Sequence, residues 1–189
     1  MRGAVLALMA LVACDAAPGN QPIPAPRIVT ADLPPGYPPK IGAVAAVLNG
    51  KAVAWDTYDY SVGAFDASAQ FVGPKAMPEF RLLGMQPGQP GSDRNRLTMK
   101  GSGSGGALQD VLIEVVAGRD WNGLRLSSAG QKAVLVLDRV TGDGVSRGHV
   151  TGHFLATVCA ANGMPIKVDT RHCQAISATF ETEFQYDLK

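Results

Sequence analysis

Gly148-His149-Val150-Thr151-Gly152-His153-Phe154-Leu155-Ala156-Thr157-Val158-Cys159-Ala160 and, a short connection later, Gln174 to Tyr186 (QAISATFETEFQY) are the runs on which the fold reading turns. Both alternate with the period of two that marks a strand with one buried face. Placing Cys159 opposite Cys173 in an antiparallel pair fixes every other pairing. One face then collects Phe154, Ala156 and Val158 with Ile176, Ala178, Phe180, Phe184 and Tyr186. The other collects His149, Thr151, His153 and Thr157 with Ser177, Thr179, Glu181 and Glu183. A slip of one residue on either strand would mix apolar with polar, so the sorting itself specifies the register.

Working outward, the chain from Ile41 onward falls into short apolar runs between turn residues. Ile41 to Leu48, Asn49-Gly50 and Lys51 to Tyr60 read as a hairpin, because Asn-Gly accepts the positive φ angles of a two-residue turn. Asn122-Gly123 and Gly142-Asp143-Gly144 punctuate later runs in the same way. Further strands are expected at Ser68 to Val72, Glu79 to Leu83, Arg96 to Lys100, Asp110 to Ala117, Leu124 to Ser127 and Lys132 to Val140. One segment, 107–117, also fits a helical template through Leu108, Val111, Leu112, Val115 and Val116; its β-branched residues favour a strand. The expectation is an all-β domain over 41–189, an antiparallel β-sandwich with a calycin-like barrel as the alternative.

The amino-terminal part has a different composition. Arg2 and the apolar run Ala4 to Ala13 (AVLALMALVA) form the core of a signal peptide over residues 1–13, too short to span a bilayer. Leu11-Val12-Ala13-Cys14 resembles the lipobox of bacterial lipoproteins. That resemblance implies cleavage before Cys14, acylation of its thiol, and anchoring in a cell-envelope membrane facing the periplasm. Asp15 resembles an inner-membrane retention signal in enteric bacteria; other bacterial groups sort by other rules, and both membranes stay open. Residues 14–40 hold Pro18, Pro22, Pro24, Pro26, Pro34, Pro35, Pro38 and Pro39, the composition of an extended tether. The run Gly148 to Thr157 is similar to the Gly-x-Val-x-Gly-x-Phe-x-Ala-Thr hairpins of uncharacterised β-rich exported lipoproteins, which agrees with an all-β body and carries no activity. In an oxidising envelope Cys159 and Cys173 are expected to bond, with Cys14 taken by lipid.

Charge excludes a nucleic-acid partner. Lys plus Arg number 17 against 16 Asp plus Glu, and no basic patch interrupts their even spread. His149, His153, Glu181 and Glu183 share the polar face, yet two histidines four apart on a strand stand about 13 Å from each other, too far to hold one ion. His149-Val150-Thr151-Gly152-His153 lacks the Glu and the helix of a zinc-protease motif. Gly101-Ser102-Gly103-Ser104-Gly105-Gly106 satisfies GxGxxG literally; a dinucleotide site needs a helix after it and an acid about 20 residues on. Trp55, Tyr58 and Tyr60, with Asp56 and Asp59 among them, are the candidate ligand-binding set. No cofactor, metal or catalytic residue follows from the sequence. The reading is a non-catalytic structural or interaction module whose partner is membrane lipid through Cys14, plus an envelope protein or small ligand. A small-ligand binder and an envelope hydrolase are the alternatives.

Overall fold

In a computed structural model of the chain, residues 37–60, 68–91, 94–118, 124–162 and 166–189 are described. The leader, Cys14, nearly all of the tether and the Asn122-Gly123 turn lie outside them. The described residues form eleven strands and no helix: β1 Lys40–Leu48, β2 Lys51–Tyr58, β3 Ala69–Gly73, β4 Glu79–Gly84, β5 Arg96–Ser102, β6 Gly106–Ala107, β7 Gln109–Ala117, β8 Leu124–Ser127, β9 Ala133–Gly142, β10 Arg147–Asn162 and β11 Lys167–Leu188. The disputed segment is strand, as its β-branched residues favour.

All eleven strands belong to one sheet, and its ladder returns to its start. From β11 it runs through β3, β4, β5, β7, β8 and β10, and β10 pairs again with β11. Closure in the manner of a barrel removes the free edges an open sandwich would leave along this ring. The β1–β2 hairpin adds to β11 beside β3 and reaches β4 through a bridge between Asp56 and Met85. Strand β9, with β6 beyond it, adds to the other edge of β10. One pairing corrects the purely antiparallel expectation. The end of β11 runs parallel to β3, with Gln185 beside Gln70 and Leu188 beside Gly73, on the stretch beyond the one β1 occupies.

The β10–β11 register is the one that alternation specifies: Cys159 faces Cys173, Phe154 faces Ala178 and His149 faces Glu183. The two cysteines form a disulfide. Just beyond it the register shifts, and Thr170, Arg171 and His172 loop out between Asp169 and Cys173. Asp169 holds this bulge by accepting from the Arg171 backbone and guanidinium and by pairing with His172. Those bonds hold its carboxyl low, at about 2. At the other hairpin, Asn49 and Gly50 have φ of 48° and 76°, as a two-residue turn of this hand requires.

Inside the ring the large side chains of β11 are matched by missing ones on β10. Gly152 lies directly opposite Phe180, and Gly148 opposite Phe184. A Cβ on Gly152 would stand 2.4 Å from the Val136 carbonyl oxygen and 2.5 Å from Phe180 Cζ; one on Gly148 would stand 2.4 Å from Phe184 Cζ. The two rings fill the space the missing Cβ atoms leave and continue into Phe71, Phe80 and Tyr186 at centroid distances of 4.9 to 6.0 Å. Leu135, Val150, Phe154, Ile176 and Leu82 complete a core that is filled by side chains.

Gly152→Ala forces the new methyl against backbone on one side and a ring on the other, which cores resist by about 1–3 kcal/mol. A thermal melt should therefore show a lowered midpoint, and an unchanged one would refute the close packing. Cys159→Ser should lower the midpoint while the far-ultraviolet β spectrum persists, since the disulfide closes a hairpin whose register is already specified.

Candidate functional site

The candidate aromatic set sits where β2 ends. Alternation places Trp55 on one face and Tyr58 on the other, and β2 is buried on both from Trp55 to Tyr58. Trp55 is 3% exposed and packs in the core. Tyr58 is fully buried, and Tyr60 is partly so. The cover is the segment from Met85 to Gly91, brought over β2 by the paired backbone bonds of Asp56 and Met85.

Asp56 is the hub. Its Oδ1 is 2.6 Å from Lys40 Nζ, with both side chains about nine-tenths buried. Its Oδ2 accepts from the Tyr58 hydroxyl at 3.2 Å and from the Gly88 amide at 3.2 Å. The Gly88 amide is shared, donating also to the Tyr58 oxygen at 3.1 Å. The Tyr60 hydroxyl donates to Met85 Sδ and accepts from the Gly91 amide, each at 2.9 Å. Asp59 meets Arg147 at 3.1 Å on the other side of the strand end. Burial, then the neighbouring Asp56 charge, push the Tyr58 hydroxyl up to about 12. Burial also raises Tyr60. Both phenols are thereby held in the protonated form, the donor state these bonds need and the opposite of an activated nucleophile or base. The arrangement braces a loop against a strand.

The histidines go to separate carboxylates. His149 Nε2 is 3.1 Å from Glu181, and His153 Nδ1 is 2.9 Å from Asp138. Glu183 lies across from His149 in register, but Glu181 is its partner. Among the described residues no three potential ligands come together around one point. In the glycine-rich run, Gly101 and Ser102 end β5, and the backbone then wraps Leu108. A Cβ on Gly103, at φ 137°, would meet Leu108 Cδ2 at 2.9 Å. A strand, β7, follows where a phosphate-binding site needs a helix N-terminus.

A concavity lies elsewhere, on the outer face of β1, β11, β10 and β9. It is an open groove of about 620 Å³ whose walls include Val47, Val134, Leu155, Thr157 and Ser177, with Lys132 at one end. Leu155 is 57% exposed and Val134 38%. The sequence signal was present: Leu155 shares the parity of His149, Thr151, His153 and Thr157, and is the apolar exception on that face. A second hollow of about 490 Å³ crosses β3, β4, β5 and β7, where Arg81 and Lys100 stand side by side and share Glu79. Compared with known proteins, the chain matches no family model, no curated protein and no solved structure.

Tyr58→Phe removes the hydroxyl from a buried carboxylate and should lower stability by about 1–3 kcal/mol in denaturant unfolding. The raised Tyr58 pKa has a definite sign in linkage. The unfolded chain loses this proton near pH 10 and the folded chain only near 12, so stability is full below 10 and falls between them. Ultraviolet titration of phenolate should show this late ionisation in the parent and not in the Tyr58→Phe variant.

Proposed function

We propose that this chain is a lipid-anchored protein of the bacterial cell envelope whose β domain is a non-catalytic structural or interaction module. The observation that carries the reading is Leu11-Val12-Ala13-Cys14 standing directly at the end of the apolar run Ala4 to Ala13, where a lipoprotein peptidase would meet it. Two or three acyl chains at about 0.8 kcal/mol per CH₂ make such attachment effectively permanent. Residues 14–40 then serve as a spacer, and at about 3.1 Å per residue an extended proline-rich chain of that length holds the domain tens of ångströms from the bilayer.

The body supports a binding role better than a chemical one. Its interior is packed with side chains, Tyr58 and Tyr60 are held as donors against the Met85 to Gly91 segment and Asp56, and His149 and His153 are each spent on a neighbouring carboxylate. What it presents outward is sheet surface, including uncharged apolar area around Leu155 and Val134. The disulfide fits an oxidising compartment.

Replacing Cys14 with Ser should move the protein from the membrane to the soluble fraction of lysed cells, and mass spectrometry of the parent should find an acylated amino-terminal cysteine. A chain that stays with the membrane after Cys14→Ser, or a parent whose first residue is unmodified, would overturn the anchor.

A further inference from the structure

Lys40 stands where the proline-rich stretch ends and the sheet begins, and its backbone is held lightly. The β1–β11 ladder starts at Gly42, and in the β1–β2 ladder a register shift separates the Lys40–Tyr58 pair from those that run on from Gly42. Just upstream, the Pro39 carbonyl accepts from the Asp59 amide at 2.9 Å. Pro38 and Pro39 have fixed φ and resist bending, so a displacement of the chain before them is passed on to Lys40.

The side chain, by contrast, is held in a buried ion pair. One oxygen of Asp56 takes the Lys40 ammonium; the other takes the Gly88 amide and the Tyr58 hydroxyl. Withdrawing the ammonium leaves a buried carboxylate with neutral donors alone, a strongly unfavourable state until water reaches it. The way in is short. Pro87, Gly88, Gln89 and Gly91 are exposed, and a Cβ on Gly88 or Gly91 would meet nothing within 4 Å. One layer of backbone therefore stands between Asp56 Oδ2 and solvent.

That layer is secured by polar contacts. The Gly88 amide bonds Asp56 and the Tyr58 oxygen, and the Gly91 amide bonds the Tyr60 oxygen. Water replaces such bonds at small net cost. Met85 is buried and exchanges both backbone bonds with Asp56, and Gln86 beside it meets Asn95, so the segment has a hinge at this end. Segments held by few apolar contacts open at the low-stability end of a fold.

We propose that Met85 to Gly91 is an autoinhibitory lid over Asp56, Tyr58 and Tyr60, and that Lys40 is its latch. While Lys40 sits on Asp56 the lid is shut, and both phenol hydroxyls are spent beneath it. When the chain upstream draws Lys40 out, Asp56 takes up water, the Gly88 amide is released and the lid swings about Met85. The carboxylate and the two hydroxyls then face outward together, ready to hydrogen-bond a polar ligand. Trp55 stays in the core in either state. That the pull comes from a membrane rests on the lipid anchor proposed above; the latch rests on the geometry around Lys40.

The test is hydrogen exchange on the purified full-length protein, read by mass spectrometry. In Lys40→Met the amides of residues 85–91 should exchange at least about tenfold faster, while those of β10 and β11 keep the parent's rates. The Tyr58 phenol, which ionises near 12 in the parent, should move toward 10 in the same variant. Lys40→Arg, which keeps the cation, and Lys51→Met, at the far end of the same hairpin, should both match the parent. Unchanged exchange at 85–91 in Lys40→Met overturns the latch. So does an acceleration that β10 and β11 share equally, or a Lys40→Arg variant as fast as Lys40→Met. Should Lys40→Met not fold, Lys40→Gln, which keeps a donor without the charge, decides by the same comparison. None of these readouts involves lipid, so the anchor and the latch stand or fall separately.

Discussion

The closed ring depends on an agreement between absent and oversized side chains on two neighbouring strands. Phe180 and Phe184 point inward four residues apart on β11, and the interior at those levels has room for them only because β10 supplies Gly152 and Gly148 directly across. Glycine in a strand costs backbone entropy and gives no side chain to bury. Here a ring covers the exposed backbone, so the pair recovers the apolar contact that a glycine alone forfeits. A similar exchange occurs at Gly42, which lies between Thr57 and Thr182 on its two neighbouring strands. Lacking a Cβ, it lets their buried hydroxyls meet at 2.6 Å across it.

Much of the fold was legible because alternation and the cysteines constrain the same register. Where one face of a hairpin is core and the other is not, every residue votes on the pairing, and β10 with β11 has enough residues to leave one answer. The Asn49-Gly50 hairpin was legible for a different reason, a backbone conformation that few residue pairs accept. Closure was not legible. It rests on β3 meeting the last four residues of β11 and on β8 meeting three residues of β10, contacts too short to impose a pattern. The looped Thr170 to His172 also hid the true start of β11, since three extra residues break the period that would have extended it to Lys167.

The aromatic set shows how alternation fails at the end of a strand. The expectation of opposite faces for Trp55 and Tyr58 follows from strand geometry, but facing outward means solvent only when nothing covers that side. The Met85 to Gly91 segment covers it, anchored by one bridge that pairs residues 29 positions apart, so both side chains are interior. Leu155 is the converse case. Parity places it on the polar face, and only its apolar character distinguishes it; the neighbours that make it part of a surface are Val134 on the adjacent hairpin strand and Val47, which comes from far away in sequence.

Strand β11 touches β10, β1 and β3, and it follows all of them in the chain. Before β11 is made, β1 has only β2 beside it and β3 only β4, and the ring cannot close without it. The pairings of β1 and β3 with β11 join residues more than a hundred positions apart, and such contacts form late because chain entropy is lost before the contacts repay it. Until β11 arrives the edges of β1 and β3 that it will cover stay open, and that interval is when a chain of this topology is exposed to wrong strand pairings.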